Sequence, residues 1–355
     1  MPHPGVDQVE GGLLRSPVRS PATPEHAMAV PASAHDSSLA STAAADPVLD
    51  PDAPRPATLE DVPGWFPVTD HRLFCWLLEH QRERKIPGDI LEIGVYLGRS
   101  AILLGQHMRE GETFTVCDLF ESEATDSANS AEMSGSYRGK LTRRAFEANY
   151  LAFHDTLPRI HQGPSEELAD TKLIAPGSQR FIHVDASHLY EHVAADLRFA
   201  REALREDGIV ALDDYRSEHT PGVAAATWEA VRLHGLRPVA LTPQKFYGTW
   251  GDPESTRQAL IEQCRRRDPR APDLQVVYEE QVPRLWAGAL PAQEQPRSRW
   301  FAQHQAEQEA RKRAERAAQQ RLPARARRLA ADLTPPMAAR ALRKLRARAR
   351  SRAQA

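Results

Sequence analysis

The sequence predicts an α/β fold in which a doubly wound, mostly parallel sheet carries helices on both faces. Three observations predict it. An apolar run ends in a glycine turn, further strand-like runs end in carboxylates, and segments with a helical period separate them. Open sheets of this kind bind ligands at the carboxyl ends of their strands. The acids therefore predict a binding site at that edge.

The first element lies in residues 88–100. Its apolar run predicts a buried strand, Gly94 and Gly98 predict a tight turn, and Ser100 is placed to cap a helix through residues 101–108. A nucleotide-cofactor loop uses these residues, and so does a purely structural strand-to-helix turn. The motif alone leaves both interpretations open.

Three later runs predict strands that deliver acids to the same edge. The runs are residues 112–118, 179–185 and 208–215, and their acids are Asp118, Asp185, Asp213 and Asp214. Asp118 follows Gly94 at about the distance at which a βαβ unit carries its ribose-binding carboxylate. Two such motifs in register favour the cofactor loop over the structural turn.

In this order the segments resemble the class I S-adenosylmethionine-dependent methyltransferases, especially the bacterial sugar and natural-product O-methyltransferases, which are related to the catechol O-methyltransferases. The resemblance covers roughly residues 62–250. Residues 92–100 resemble the family's first motif, Asp118 stands at the position of its ribose-binding acid, and residues 163–166 resemble the turn beside the adenine. Residues 185–191 are similar to the family's Asp-Gly-Asp-His-x-Tyr-Glu segment, and residues 213–215 match its Asp-Asp-Tyr ending. The resemblance implies a seven-stranded Rossmann-like sheet and methyl transfer to a hydroxyl of a sugar or small natural product.

The resemblance also implies a set of residues that bind S-adenosylmethionine. They are Glu92, Gly94, Tyr96, Gly98, Ser100, Asp118, Ser165 and Asp185. A methyl group leaves a sulfonium by in-line displacement, so the protein has mainly to position donor and acceptor and to help ionise the attacking oxygen.

Three carboxylates predict a metal site. Asp185, Asp213 and Asp214 offer the hard oxygen ligands that an octahedral cation prefers, and Mg²⁺ is the expected metal. Such an ion would lower the pKa of the acceptor hydroxyl. The alternative is structural, with Asp213 and Asp214 ending a strand and Asp185 capping the next helix. The repulsion among three carboxylates without a cation favours the metal.

The expected proton acceptor departs from the family pattern. Relatives carry an acid or a lysine where this chain has Ser187 and His188. Serine is a poor base, whereas imidazole titrates near neutral pH, so His188 is the candidate catalytic residue together with Asp185. Two alternatives stay open. Either His188 stacks near the adenine or the acceptor, or metal activation operates with bulk water as the base.

Beyond residue 215 the chain predicts a helix over residues 223–234 and strands over residues 237–241 and 245–250. These strands supply the antiparallel last pair that the resemblance requires. Relatives often keep a basic residue near Lys245, but a solvated lysine at a strand start is the simpler interpretation.

Two further segments border the motifs. Trp65 and Phe66 are expected to be core anchors rather than a lid over the cofactor. Residues 121–140 are polar and aperiodic, and they are expected to form a mobile substrate flap with Tyr137 and Arg138 as contacts.

Composition divides the chain into three parts: a disordered extension over residues 1–60, the methyltransferase-like domain over residues 61–290, and a basic Ala/Arg-rich helical tail over residues 291–355. The extension has no signal-peptide pattern and no apolar run is long enough for a bilayer, so we expect a cytoplasmic protein. The three cysteines stand singly, which predicts neither a zinc site nor a disulfide framework.

The tail carries 17 Arg or Lys against 5 Asp or Glu. Residues 306–328 and 338–352 favour helix, with breaks at Pro323, Pro335 and Pro336. Such a helix can lie on anionic lipid or on nucleic acid. Alternatively the tail is solvated and folds back on the acidic remainder of the chain, or on a neighbouring copy in a homo-oligomer.

Two functions follow from these features. One is an enzyme that methylates a small-molecule or carbohydrate acceptor. The other is a binding module that keeps the methyltransferase fold and is tethered by its tail to nucleic acid or an anionic membrane. The intact glycine loop and the three aspartates favour the enzyme.

Overall fold

The computed structural model describes residues 53–122, 124 and 141–332, with side chains as far as residue 318. Its helices are α1 (Val68–Glu83), α2 (Arg99–Gln106), α3 (Arg143–Phe153), α4 (Leu168–Thr171), α5 (Tyr190–Ala203), α6 (Pro221–Leu233), α7 (Glu254–Arg267) and α8 (Phe301–Asp332). Its strands are β1 (Asp89–Ile93), β2 (Phe114–Asp118), β3 (Arg159–Gln162), β4 (Gln179–Val184), β5 (Leu204–Leu212), β6 (Arg237–Leu241), β7 (Phe246–Thr249), β8 (Asp273–Val277) and β9 (Glu280–Arg284).

The strands form one mixed sheet in the order β3-β2-β1-β4-β5-β7-β6-β9-β8. From β3 to β5 the neighbours are parallel, and β7 runs antiparallel to both β5 and β6. The predicted α/β class is confirmed. The sheet order places the ends of β1, β2, β4 and β5 side by side, which is the edge where the sequence concentrates its acids.

The predicted strand number is wrong, because the sheet in the described residues has nine strands rather than seven. A hairpin of β8 and β9 extends the sheet beyond β6 through the pairing of Leu241 with Arg284. Pro283 lies inside β9, and a proline in a short and largely polar segment argues against a strand when the sequence is considered alone. Here Pro283 sits opposite Leu274 near the edge of the sheet.

Both faces of the sheet are buried. In β1, Ile90 packs into an apolar cluster that contains Phe74 of α1, whereas Leu91 packs into a second cluster that contains Leu197 of α5. Side chains alternate between the two faces along a strand, so Glu92 shares the face of Ile90. This alternation sends the Glu92 carboxylate under α1, into the interior.

Helix α2 begins at Arg99, and its N-cap is Gly98 with φ 95° and ψ 14°. The prediction that Ser100 caps this helix is therefore wrong. Glycine adopts this left-handed backbone without a steric penalty, and Ser100 falls inside the first turn. That position directs the serine towards the strand rather than to the helix N-terminus.

The tail and the extension lie only partly within the described residues. Helix α8 runs through residue 323, so the predicted break at Pro323 is wrong. Residues 338–352, the prolines at 335 and 336, the flap contacts Tyr137 and Arg138, and residues 1–52 lie outside the described part of the chain. Within it, no helix is both long and apolar enough to cross a membrane.

Candidate functional site

A cavity of about 710 Å³ opens at the carboxyl edge of β1, β2, β4 and β5. It is lined by most of the residues that the sequence singled out: Gly94, Tyr96, Ser100, Asp118, Ser165, Asp185, His188, Asp213 and Asp214. Glu92 and Gly98 do not line it. The predicted residues are thus brought together along one cavity, with the glycine loop at one end and the aspartates of β4 and β5 at the other.

Gly94 is required by a close approach of two strands. Its φ is 83°, and an added Cβ would lie 2.1 Å from the carbonyl oxygen of Asp185. The backbone N–H of Gly94 donates to the carbonyl of Cys117 at 2.8 Å. The turn after β1 is therefore pressed against the end of β4, and only a residue without a side chain fits there.

Asp118 fixes the shape of the loop after β1. Its Oδ2 accepts the backbone N–H groups of Val95 and Tyr96 at 2.8 and 3.0 Å, and its Oδ1 accepts the N–H of Phe120 at 2.8 Å. Burial raises the pKa of the Asp118 carboxyl, and these three N–H groups offset part of that rise. Asp118 also lines the cavity, as a ribose-binding acid would have to.

Glu92 lies behind the cavity instead of in it. Its carboxylate is fully buried, and Oε1 accepts the hydroxyl of Ser100 and faces His183 Nδ1 at 2.7 Å. Burial is the largest influence and raises the pKa of Glu92 to about 8. Glu92 and Ser100 therefore tie β1 to α2 from within, which differs from the direct cofactor contact that the resemblance implied.

Lys245 is not the solvated lysine that the sequence predicted. Its side chain is fully buried, with Nζ 2.8 Å from Asp213 Oδ2 and 3.7 Å from Asp185 Oδ2. Leu212 of β5 pairs with Phe246 of β7 in an antiparallel register, so Asp213, which follows Leu212, lies opposite Lys245, which precedes Phe246. The sequence predicted an antiparallel pair of residues 237–241 with residues 245–250, whereas the pairing of β5 with β7, which brings Asp213 next to Lys245, was not predicted.

The charge state of this cluster follows from its geometry. Burial alone would lower the pKa of Lys245, but the attraction of Asp213, Asp185 and Asp70 outweighs it and raises that pKa above its ordinary value. Burial, followed by repulsion from Asp213, raises the pKa of Asp185 well above its ordinary value. The lysine is therefore an ammonium ion, and Asp213, at 2.8 Å, is its nearest counter-ion.

His183 extends the cluster towards the glycine loop. Its Nε2 accepts from Lys245 Nζ at 3.0 Å, so Nδ1 carries the ring proton and donates it to Glu92. Burial and the nearby Lys245 lower the pKa of His183 well below its ordinary value. Lys245, His183, Glu92 and Ser100 form a continuous hydrogen-bonded series, called here the buried polar chain.

His188 lies on the cavity wall just before α5. Its Nε2 is 3.4 Å from Asp214 Oδ2, while Asp214 Oδ1 accepts the hydroxyl of Ser217 at 2.6 Å. The hydrogen bond from His188 is the main cause that lowers the pKa of Asp214. Asp214 is therefore an ionised partner that can stabilise a protonated imidazole.

The three aspartates do not fit the predicted magnesium site. Asp213 is paired with Lys245, and both oxygens of Asp214 face Ser217 or His188. In the described ranges, no group of three acidic, histidine or cysteine side chains is arranged to hold a metal ion. Lys245 offsets the charge of Asp213, and His188 and Ser217 hold Asp214, so side chains of the protein occupy the positions around these two carboxylates.

The aromatic pair at the cavity mouth divides into two roles. Phe66 packs against Phe74 with ring centroids 5.1 Å apart, as predicted for a core anchor. Trp65 is 70% exposed, lines the cavity and lies 5.7 Å from the Tyr96 ring, so the prediction that it is a core residue is wrong. Arg99 holds this segment by donating to the carbonyl of Gly64 at 2.7 Å.

Comparison with known proteins agrees with this geometry. A family model described as a methyltransferase domain matches residues 91–215. No curated protein sequence matches the chain.

Similar solved structures include the O-methyltransferase NovP, with 20% identity, 52% of this chain and 81% of the other covered, and a TM-score of 0.42. CalS11, a TDP-rhamnose 3′-O-methyltransferase of calicheamicin biosynthesis, is similar with 19% identity, 52% of this chain and 82% of CalS11 covered, and a TM-score of 0.34. The O-methyltransferase TomG of Streptomyces achromogenes is similar with 16% identity, 54% of this chain and 83% of TomG covered, and a TM-score of 0.35. Likenesses of this size do not determine a substrate.

Replacing Glu92 with Gln is expected to remove a pH dependence of stability. The folded pKa of about 8 lies above the ordinary 4.5, so the folded protein keeps a proton that the unfolded chain releases between these values. The wild type's free energy of unfolding should therefore fall as pH rises from about 5 to about 8, by up to about 4 kcal/mol relative to E92Q. Urea unfolding at four pH values measures this difference.

The control is E254Q, because Glu254 is exposed at the start of α7 and lies outside the buried polar chain. Its pH profile should parallel that of the wild type. A parallel profile for E92Q as well would contradict the burial of a protonated Glu92.

Replacing Gly94 with Ala should lower the free energy of unfolding by at least about 2 kcal/mol, because the new Cβ collides with the backbone of Asp185. Gly111 provides a matched control, since its φ is also 83° but an added Cβ meets nothing within 4 Å. Thermal unfolding of G94A and G111A separates the collision from backbone strain. Equal losses in the two variants would show that the strand approach is not limiting.

Proposed function

We propose that residues 91–215, which match a methyltransferase-domain model, form an S-adenosylmethionine-dependent methyltransferase domain of class I, and that the chain transfers the methyl group to a hydroxyl of a sugar or small natural product. The observation that carries this proposal is the single cavity that joins the glycine loop to the pair of His188 and Asp214. The acceptor class follows from the resemblance of residues 185–191 and 213–215 to sugar O-methyltransferases.

The cofactor end of the cavity is assigned to the glycine loop and its neighbours. Gly94 allows the ligand to approach the backbone closely, Asp118 offers a carboxylate to the ribose, and Ser165 offers a hydroxyl beside the adenine. Tyr96 and Asp185 complete the wall. When bound, S-adenosylmethionine supplies an electrophilic methyl group on a cationic sulfur.

The acceptor end is assigned to His188. In the transfer, a bond forms between the acceptor oxygen and the methyl carbon, the carbon–sulfur bond breaks, and its electron pair stays on sulfur. The hydroxyl proton passes to the imidazole of His188, and the Asp214 carboxylate stabilises the imidazolium that forms. Ser217 holds Asp214 in place through its hydroxyl.

The first test is calorimetric titration of the full chain with S-adenosylmethionine and with S-adenosylhomocysteine. One site per chain is expected, and replacement of Asp118 with Asn should weaken binding by about tenfold, the loss of one charged hydrogen bond. E254Q, changed far from the cavity, should bind as the wild type does. Undetectable binding by a folded wild type would refute the proposed function.

The second test separates the proton acceptor from the binding residues. H188N should lower kcat by about a hundredfold or more while the affinity for S-adenosylmethionine changes little, because only the proton transfer is lost. D214N should lower kcat less. Transfer of labelled methyl groups to a panel of TDP-sugars, catechols and other hydroxylated acceptors measures kcat.

His219 gives a matched control, since it also lines the cavity but its side chain is exposed. H219N should retain turnover. Loss of kcat in H219N together with normal turnover in H188N would move the proton acceptor away from His188.

A further inference from the structure

The acceptor end of the cavity concentrates acidic side chains to an unusual degree. Asp185, Asp213 and Asp214 line it, and Asp70 of α1 lies behind them, fully buried. Carboxylates this close require a counter-charge, which a divalent ion or a protein cation can provide.

Lys245 has the position and the partners of such a counter-ion. Its ammonium donates hydrogen bonds to two acceptors, Asp213 Oδ2 at 2.8 Å and His183 Nε2 at 3.0 Å, and it lies at ion-pair distance, 3.7 Å, from Asp185 Oδ2. The Phe66 ring covers it, with its centroid 5.8 Å from Nζ. An exposed lysine would not be held on every side in this way, so the site is built around the ammonium.

The lysine is fixed through its backbone as well. Its N–H donates to the Thr242 hydroxyl at 2.8 Å, and its carbonyl accepts the N–H of Thr242 at 2.9 Å. The same threonine hydroxyl donates to Asp70 Oδ1 at 2.8 Å. The β6–β7 turn therefore places the side chain of Lys245 in one direction, towards the aspartates.

The third aspartate is held away from a common ligand position. Asp214 has φ 55°, and its two oxygens face Ser217 and His188. Mg²⁺ needs near-octahedral oxygen ligands at about 2.0 to 2.1 Å, and an ammonium already bound to Asp213 repels a second cation there. Lys245 pairs with Oδ2 of Asp213, and Oδ1, which lacks a hydrogen-bond partner among the described residues, is the oxygen of this carboxylate that is left for another cation.

We propose that Lys245 is a built-in replacement for the divalent cation, bridging Asp185 and Asp213 so that the cavity binds its ligands without metal. Lys245 does not line the cavity, so it is a positioning residue: it holds the two carboxylates and, through His183 and Glu92, the start of the glycine loop. The metal-binding part of this proposal is independent of the proposed function, and only the part on cofactor binding rests on it.

The test measures Mn²⁺ binding to the EDTA-treated full chain by electron paramagnetic resonance. The wild type should leave the free Mn²⁺ signal unchanged, whereas K245M, which removes the ammonium and keeps the chain length, should bind Mn²⁺ at least tenfold more tightly. The double variant with D213N should lose the gained affinity. Tight Mn²⁺ binding by the wild type that D213N abolishes would overturn the proposal.

Two controls keep the result interpretable. K312M removes an exposed lysine of α8 and should behave as the wild type does. If circular dichroism shows that K245M does not fold, K245R and the wild type still test the proposal. Both proteins should leave Mn²⁺ free, and binding of Mn²⁺ by either would contradict the proposed role of the Lys245 ammonium.

A second measurement addresses the cofactor. Affinity for S-adenosylmethionine should be the same with EDTA and with Mg²⁺ in the wild type, and a tenfold or larger loss in EDTA would also overturn the proposal. No cofactor binding under either condition would refute the proposed function while the Mn²⁺ result still decides the role of Lys245.

Discussion

The buried ion pair between Lys245 and Asp213 is the interaction on which the carboxyl edge of the sheet depends. An ammonium removed from water is tolerated only where it is paired and hydrogen-bonded, and this one donates to Asp213 and His183 and lies within ion-pair distance of Asp185. Removing one partner of a buried pair typically costs about 3 to 5 kcal/mol, because the other charge is left uncompensated. The ends of β4 and β5 and the start of β7 are therefore held as one unit.

That unit reaches the other end of the cavity through the buried polar chain. His183 pairs in register with Glu92 across β4 and β1, and Glu92 accepts the hydroxyl of Ser100 in the first turn of α2. The backbone makes a second link, since the turn at Gly94 lies against the carbonyl of Asp185. The loop assigned to the donor and the acids assigned to the acceptor therefore share one rigid support. Such rigidity is what an in-line displacement needs.

The sequence predicted well those features of the fold and the site that depend on local residue patterns. Strand runs that end in acids place Asp118, Asp185, Asp213 and Asp214 at one edge, because parallel strands share the direction of their carboxyl ends. The period of two along β1 also implies that Glu92 points to the same face as Ile90, away from the cavity, although the motif resemblance suggested otherwise. A motif identifies the position of a residue in a family, whereas the strand period determines its direction.

The parts that it missed depend on contacts between distant residues. Lys245 looked like a solvated lysine because a lysine at the start of a strand is usually exposed. Its partner Asp213 is 32 positions away in the sequence, and only the pairing of β5 with β7 brings the two side chains to 2.8 Å. Trp65 looked like a core residue because aromatic side chains are usually buried, yet the loop anchored by Arg99 turns it outward over the cavity. The β8–β9 hairpin was missed because Pro283 weakens its strand pattern.

The nature of the counter-ion decides how an acceptor hydroxyl can lose its proton. A bound divalent ion contacts the acceptor oxygen and lowers its pKa directly, so a weak base or water suffices. An ammonium that is fully buried behind Asp185 and Asp213 cannot touch the acceptor, and it stabilises the carboxylates instead. Under the proposed role of Lys245, deprotonation therefore falls to a base on the cavity wall. His188, backed by the ionised Asp214, is a side chain of the described wall that has both the chemistry and a charged partner. Under this proposal the role of the metal and the role of the histidine are linked, because an ammonium as the counter-ion makes a base such as the imidazole necessary.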